Sequence, residues 1–123
     1  MKIAVVGTGY VGLVSGTCFA EMGNRVICVD IDQAKVDKLR AGKITIFEPG
    51  LEVLFERNIS ENRLQFTTDL DEAVQHAQVI FLALPTPPGE DGSADLSYVL
   101  GVATQLGKLI KQYKVIVNKS TVP

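Results

Sequence analysis

Three glycines and one aspartate near the start of the chain have the spacing of a nucleotide-binding turn. Gly7, Gly9 and Gly12 form a G-x-G-x-x-G turn directly after an apolar run, and the next apolar run ends at Asp30. A glycine triplet alone is weak evidence, but here a strand, a glycine turn, a helix and a second strand are expected in that order. Asp30 lies 18 residues after Gly12, close to the roughly 20 expected of a carboxylate that binds an adenosine ribose. The pattern therefore predicts a dinucleotide site.

Each glycine has a separate physical role in such a site. Gly7 would allow the tight turn out of the strand, Gly9 would let the backbone approach a pyrophosphate, and Gly12 would let the helix pack close to the sheet. The phosphates would lie over the free N–H groups of the helix N-terminus, where the helix dipole favours negative charge. The alternative is a glycine turn between strand and helix that binds no phosphate.

The acidic residue also indicates which dinucleotide is bound. A carboxylate at Asp30 accepts hydrogen bonds from ribose hydroxyls and repels a 2′-phosphate, so NAD is favoured over NADP. Asp32 adds a second negative charge nearby. Lys35, about one helical turn past Asp32, could reach the ribose or a phosphate, or could pair with Asp32 or solvent; its spacing does not decide between them.

Length and composition fit a single soluble domain over residues 1–123. The chain is 46% hydrophobic with a net charge of −2, and no basic run indicates binding to nucleic acid or an anionic membrane. No apolar run approaches the ~20 residues of a membrane span, and no secretory pattern precedes the first strand. Cys18 and Cys28 do not have the spacing of metal ligands. We therefore expect a cytoplasmic protein without a metal site.

Strand and helix patterns alternate along the whole chain. This favours a Rossmann-like, doubly wound parallel sheet in three α/β/α layers, with about five to six strands. The chain supplies about five strands and stops at Pro123, where another helix should begin. We therefore expect a piece of a longer protein, truncated after the last strand; a naturally short chain is the alternative.

The patterns also predict individual elements. Three helices are expected in the first half of the chain: one that buries Val11, Val14, Ser15, Cys18, Phe19 and Met22, one from N-cap Asp32 to about Ala41–Gly42, and a short one with Leu51, Leu54 and Phe55. An edge strand at 64–66, a helix from Asp69 to about His76 and a central strand at 79–84 buried on both faces should follow. After a loop at 85–92, we expect a last strand at 115–117, preceded by a long helix with one face formed by Leu96, Val99, Leu100, Ala103, Leu106, Gly107 and Ile110.

Two threonines are expected beside the dinucleotide. Ligands of an open parallel sheet bind at the carboxyl ends of its strands, and Thr86 and Thr121 follow two of the predicted strands. Either hydroxyl could bond a ribose or the nicotinamide side of NAD. Alternatively, Thr86 shapes the proline turn and Thr121 caps the next helix.

Four motifs resemble one family. Residues 7–13 (GTGYVGL), 46–51 (IFEPGL), 86–87 (TP) and 119–123 (KSTVP) together resemble the NAD-binding domain of the UDP-glucose/GDP-mannose dehydrogenases, and the resemblance runs the length of the chain. The segment 90–96 is more similar to the bacterial UDP-glucose 6-dehydrogenases than to the GDP-mannose branch. Pro85 is a small departure, since many members have a small or polar residue there.

The resemblance implies roles for individual residues. Val11 would contact the pyrophosphate through its backbone, and Lys35 would join Asp30 at the adenosine ribose. Thr86 would touch the nicotinamide-side ribose, and Thr121 would help to position a water used in hydrolysis and proton transfer. The implied cofactor-binding residues are Gly7, Gly9, Tyr10, Val11, Gly12, Asp30, Lys35, Thr86 and Thr121. The segment 48–51 is interpreted as structural, orienting the short helix beside the site.

The resemblance also implies a reaction that this segment could not complete. The family oxidises the C6 alcohol of a nucleotide sugar to a carboxylate with two NAD, through an aldehyde and a cysteine-bound thioester. The nucleophilic cysteine lies C-terminal to this segment in relatives, as does the helix through which they dimerise. We expect Cys18 and Cys28 to be buried and inert and His76 to be a surface residue.

Other interpretations remain open at this stage. GDP-mannose or UDP-N-acetylmannosamine could replace UDP-glucose as the substrate, because most of the residues that select it would lie beyond Pro123. A regulatory domain that senses NAD would share the glycine turn and Asp30, but would not need hydroxyls at Thr86 and Thr121. Another NAD dehydrogenase would not predict the 48–51 motif.

Overall fold

The computed structural model of the protein describes residues 1–85 and 96–119. Five strands and five helices alternate along this part of the chain, except that two helices follow β2. They are β1 (Lys2–Val6), α1 (Tyr10–Glu21), β2 (Arg25–Val29), α2 (Gln33–Arg40), α3 (Leu51–Ser60), β3 (Leu64–Thr67), α4 (Leu70–His76), β4 (Val79–Leu82), α5 (Ser97–Leu109) and β5 (Val115–Asn118).

The strands form one parallel sheet in the order β3-β2-β1-β4-β5. From β1 the chain crosses to β2 and β3 on one side, and then returns to place β4 against the other side of β1. The direction of winding therefore reverses between β1 and β4, which is where an open α/β sheet binds its ligand. The predicted edge strand at 64–66 is confirmed as β3.

Successive strand residues point into two separate cores, as the two-residue period of a strand requires. In β1, Ile3 and Val5 pack with α1, α2 and α3, whereas Ala4 and Val6 pack with α4 and α5. The sheet thus lies between two helical layers. The predicted three-layer α/β/α fold with a doubly wound parallel sheet is confirmed.

The predicted buried face of α1 is wrong. Val11 and Met22 are 46% and 77% exposed, and Cys18 is exposed as well. The helix instead buries a face of mostly small residues, namely Gly12, Leu13, Gly16, Thr17 and Ala20. A Cβ on Gly16 would lie 2.8 Å from the Cys28 Sγ. Close approach to the sheet therefore selects the glycine face, although the opposite face has larger apolar residues.

Two further predictions need correction. The strand predicted at 79–84 ends at Leu82, and Val79 and Phe81 are only half-buried. On α5, Leu100 is 62% exposed and Leu106 is the one buried residue among those described. The predicted face is therefore only partly correct: Leu106 and Ile110 pack in the core, whereas Leu100, Ala103 and Gly107 are exposed. Val102 and Leu109, which lie outside the predicted face, are partly buried against the same core.

Helix caps match the sequence predictions closely. Asp32 caps α2 by accepting a hydrogen bond from the Lys35 backbone N–H at 3.2 Å, and Asp69 caps α4. The Glu72 carboxylate does not return to the Asp69 N–H as in a full capping box. It accepts from the Thr67 hydroxyl, whose oxygen accepts from Asp69 N instead. No helix in the described ranges is long and apolar enough to cross a membrane.

Candidate functional site

The glycine turn lies at the carboxyl edge of the sheet, against the end of β4. Gly7 has φ +109°, and a Cβ there would lie 2.2 Å from the Ala83 carbonyl oxygen. Its N–H donates to the Val29 carbonyl at 2.8 Å, which ties the turn to the end of β2. Only glycine satisfies both the positive φ and the close approach. The predicted role of Gly7 in the tight turn is therefore consistent with the geometry.

Gly12 brings the first turn of α1 down onto this loop. A Cβ at Gly12 would lie 1.9 Å from the Gly7 carbonyl oxygen and 3.4 Å from the Ala83 Cβ. Any side chain would push the helix away from the loop. The two glycines therefore fix the position of the helix N-terminus relative to the ends of β1 and β4.

Gly9 differs from its neighbours because the space beside it is open. A Cβ there would meet no atom of the described structure within 4 Å. Gly9 is the N-cap of α1, which has no side-chain cap and no acidic residue in its first turn. The first N–H groups of a helix have no intrahelical acceptor, so those of Tyr10, Val11 and Gly12 are available to a ligand at the helix N-terminus. The arrangement fits the diphosphate of a dinucleotide.

Asp30 lies beside the turn, just after β2, with its carboxylate held from three directions. Oδ2 accepts a 2.6 Å hydrogen bond from the Thr8 hydroxyl and a 3.3 Å bond from the Thr8 N–H. Oδ1 accepts from the Asp32 N–H at 3.0 Å. The Lys35 Nζ lies 3.6 Å from Oδ2. These contacts fix the orientation of the Asp30 carboxylate without the help of a ligand.

These contacts decide the charge of Asp30. Partial burial alone would raise the pKa of this carboxyl, but the Thr8 hydroxyl, the Asp32 N–H and the Lys35 ammonium outweigh it, and the pKa is lowered from 3.8. Asp30 is therefore ionised at neutral pH, as recognition of ribose hydroxyls requires. The alternative that Lys35 pairs with the Asp32 side chain is wrong, because its ammonium faces Asp30 and stays 31% exposed.

A side-chain hydrogen bond joins the glycine turn to the irregular segment 43–50. The Tyr10 hydroxyl donates to the Glu48 carboxylate at 2.5 Å, and this hydrogen bond raises the pKa of Tyr10. The Glu48 carbonyl accepts from Leu51 N, and Gly50 has φ +83°, so the segment turns directly into α3. This geometry accords with the interpretation of residues 48–51 as a structural motif.

Two of the predicted contacts lie outside the described residues. Thr86 and Thr121 belong to the ranges 86–95 and 120–123, so their roles stay predictions. The strands that lead to them, β4 and β5, are neighbours paired from Val79↔Val115 to Leu82↔Asn118. Both therefore reach the carboxyl edge at which Gly7 and Asp30 lie.

The cysteines and the histidine are not positioned for chemistry at this edge. Cys28 is buried inside β2, and burial raises the pKa of its thiol to about 12. The expectation of a buried Cys18 is wrong, since it lies exposed on the outer face of α1. The half-buried His76 bonds the Arg25 carbonyl at the start of β2, the opposite end of the strand from Asp30.

Sequence reasoning missed two residues of the site. Thr8 is fully buried and bonds Asp30, although the two lie 22 positions apart and no local pattern joins them. Gly16 extends the close contact of α1 with the sheet. The signal that could have found it was the continued glycine spacing after Gly12 on the same helical face.

Comparison with known proteins decides the family. The sequence profile described as "UDP-glucose/GDP-mannose dehydrogenase family, NAD binding domain" matches residues 1–123. The chain belongs to this dehydrogenase family. NAD is therefore its cofactor, and the uncapped helix and ionised Asp30 fit that molecule.

Relatives of the dehydrogenase domain include both curated proteins and solved structures. The chain is 55% identical to the UDP-glucose 6-dehydrogenase TuaD of Bacillus subtilis over 99% of its own length and 26% of TuaD. It is 54% identical to a UDP-glucose 6-dehydrogenase of Pseudomonas aeruginosa over 100% of its length and 27% of that protein.

Among solved structures, a GDP-mannose dehydrogenase from Pseudomonas aeruginosa superposes with a TM-score of 0.95 at 38% identity, covering 99% of this chain and 29% of that one. A UDP-glucose dehydrogenase from Pyrobaculum islandicum gives a TM-score of 0.93 at 44% identity, covering 98% of this chain and 29% of that one. The chain thus spans about a quarter of the length of the curated relatives it matches.

Proposed function

We propose that this chain is the NAD-binding domain of a UDP-glucose 6-dehydrogenase, which oxidises UDP-glucose to UDP-glucuronate with two NAD. The observation that carries the choice of substrate is identity of 50–55% with three bacterial proteins named as UDP-glucose 6-dehydrogenases. The GDP-mannose dehydrogenase structure is more distant in sequence, at 38%.

Within this proposal, different residues of the chain bind different parts of NAD. The N–H groups of Tyr10, Val11 and Gly12 would bind the diphosphate over the open side of Gly9. Asp30 and Lys35 would hold the adenosine ribose, with the ammonium also balancing the carboxylate. Thr86 and Thr121 would bind toward the nicotinamide end. These assignments rest on the open helix N-terminus, on the 3.6 Å ion pair and on the family pattern.

The chain's own residues bind and orient the cofactor. When bound, NAD accepts a hydride from the sugar C6 carbon. The Gly7 turn and Gly12 contact would set its distance from the sheet edge, and Asp30 would fix its adenosine end. Thr121 would position a water near the reacting centre. The nucleophilic cysteine that the family chemistry needs would come from outside this segment, because Cys28 is inert in the core and Cys18 lies away from the site.

The substrate is tested with the full-length protein that carries this domain. UDP-glucose, GDP-mannose and UDP-N-acetylmannosamine are supplied in turn with NAD, and NADH formation is followed by absorbance. We expect turnover of UDP-glucose with two NADH formed for each sugar. Turnover of GDP-mannose instead, with none of UDP-glucose, would overturn the substrate assignment and leave the cofactor assignment intact.

A second candidate comes from the structural comparison. The superposition on GDP-mannose dehydrogenase, with a TM-score of 0.95, is as close as that on the UDP-glucose enzyme, so the fold of this domain does not separate the two substrates. Turnover of the three nucleotide sugars by the full-length protein separates them. The third candidate, a regulatory domain that senses NAD, predicts NAD binding with no turnover of any sugar by the full-length protein.

Further parts of the proposal concern the whole protein. We propose a cytoplasmic enzyme that acts as a homodimer and supplies uronic acid units for polysaccharide biosynthesis, with no role for nucleic acid or membrane. The net charge of −2 on these 123 residues is in keeping with the last point. Size-exclusion chromatography with light scattering on the full-length protein measures the dimer directly, and a monomer at working concentration would contradict it.

A further inference from the structure

Thr8 holds the carboxylate on which cofactor choice depends. Its side chain is fully buried between two glycines of the turn, yet its hydroxyl is directed at Asp30 and donates a 2.6 Å hydrogen bond to Oδ2. The Thr8 N–H donates to the same oxygen at 3.3 Å. A single residue of the phosphate-binding turn is thus bonded twice to the ribose-binding carboxylate.

The two oxygens of Asp30 are left in different states. Oδ2 receives both bonds from Thr8 and also faces Lys35, whereas Oδ1 receives only the Asp32 N–H among the described residues. An ionised carboxylate has about four acceptor positions, two on each oxygen. Oδ2 is therefore filled from within the protein, and Oδ1 keeps an acceptor position for an incoming hydroxyl.

We propose that Thr8 is a positioning residue that makes the domain select NAD over NADP, by locking Asp30 with Oδ1 turned toward the adenosine ribose. The inference rests on the proposed ribose contact of Asp30. A 2′-phosphate could be accommodated only if the carboxylate swung away or lost its charge. The Thr8 hydroxyl opposes both changes, because its hydrogen bond favours the ionised Asp30 carboxylate in one rotamer.

A buried threonine hydroxyl could also be present merely to satisfy its own hydrogen bond. The two roles differ in what they do to ligands. A packing role would change stability and would affect NAD and NADP alike. A positioning role would change the affinity for NAD more than that for NADP. This effect of substituting Thr8 would disappear once residue 30 no longer carries a charge.

The test measures dissociation constants for NAD and NADP by calorimetry, using wild type, Thr8→Val and Thr8→Ser. Valine keeps the branched shape and removes the hydroxyl; serine keeps the hydroxyl and removes the methyl group. Thr8→Val loses one hydrogen bond to a charged acceptor, so its affinity for NAD should fall about tenfold. Its affinity for NADP should change little. Thr8→Ser should stay within about threefold of wild type for both.

The same substitutions in the Asp30→Asn background supply the control. There Thr8→Val should change NAD affinity by less than about twofold, since the charged partner through which Thr8 acts is gone. Circular dichroism confirms that each variant is folded, and Thr8→Ala, which also removes the hydroxyl, carries the test if Thr8→Val does not fold.

Three results would overturn the inference: unchanged NAD affinity in Thr8→Val, equal losses of NAD and NADP, or equal losses in Thr8→Val and Thr8→Ser. Failure of the wild type to bind NAD would instead overturn the proposed function, so the two failures are distinguishable.

Discussion

The Tyr10 hydroxyl donates a 2.5 Å hydrogen bond to the Glu48 carboxylate and so ties the start of α1 to the segment that leads into α3. The two residues lie 38 positions apart. Because the hydroxyl is engaged with Glu48, Tyr10 has its backbone N–H, rather than its side chain, to offer a diphosphate. The residues 48–51 and the glycine turn are therefore parts of one structure.

This bond predicts an altered tyrosine titration. The Glu48 carboxylate raises the pKa of Tyr10 because it stabilises the protonated phenol. Glu48→Gln should therefore lower the pKa of Tyr10 toward 10.0, measured by phenolate absorbance as the difference between each protein and its Tyr10→Phe counterpart. Glu52→Gln, a change in the first turn of α3, should leave the titration unchanged. An unchanged Tyr10 pKa in Glu48→Gln would show that the bond does not form in solution.

Close packing of α1 predicts that adding a methyl group at Gly16 destabilises the fold. Gly16→Ala places a Cβ 2.8 Å from the Cys28 Sγ, so it should lower the free energy of unfolding by about 1–3 kcal/mol. Gly101→Ala on α5 meets no atom within 4 Å and should raise it by about 0.5–1 kcal/mol. Urea denaturation measures both. Cys28→Ala should partly restore the free energy of unfolding of Gly16→Ala. Equal effects of the two glycine substitutions would contradict the assigned face of α1.

The two cysteines should differ sharply in reactivity. Cys18 is exposed, whereas the Cys28 thiol is buried with its pKa raised to about 12, and the thiolate is the reactive form. A thiol reagent at pH 8 should modify one cysteine per folded chain and both after denaturation. Peptide mapping identifies Cys18 as the modified residue. Fast labelling of Cys28 in the folded protein would contradict the burial of β2.

One buried hydroxyl has no hydrogen-bond partner among the described residues, and this predicts a stabilising substitution. The Thr17 Oγ1 is buried without a partner, so Thr17→Val should raise the free energy of unfolding by about 1 kcal/mol. Thr67→Val is the matched control. It removes two hydrogen bonds of a buried hydroxyl and should lower the same quantity by about 2 kcal/mol. A loss of stability in Thr17→Val would contradict the absence of a hydrogen-bond partner for this hydroxyl.

The sequence predicted most of the fold and the outline of the site, for reasons that are local. Strand and helix periods alternate clearly, and aspartates at 32 and 69 mark helix starts by bonding backbone groups two or three residues away. The face of α1 was not predictable from hydropathy, because close packing favours Gly16 over larger side chains. Thr8 and Glu48 were missed as partners of Asp30 and Tyr10 because each pair forms only when distant segments fold together.

The central claim is that the glycine turn and Asp30 form an NAD site, and the most direct measurement is calorimetric titration of the protein with NAD and NADP at one salt concentration. We predict saturable NAD binding and NADP binding at least about tenfold weaker, because a 2′-phosphate would lie against the ionised Asp30. Asp30→Asn should reduce this difference in affinity between NAD and NADP. NADP binding as tight as NAD, or no binding of either by the folded chain, would contradict the account.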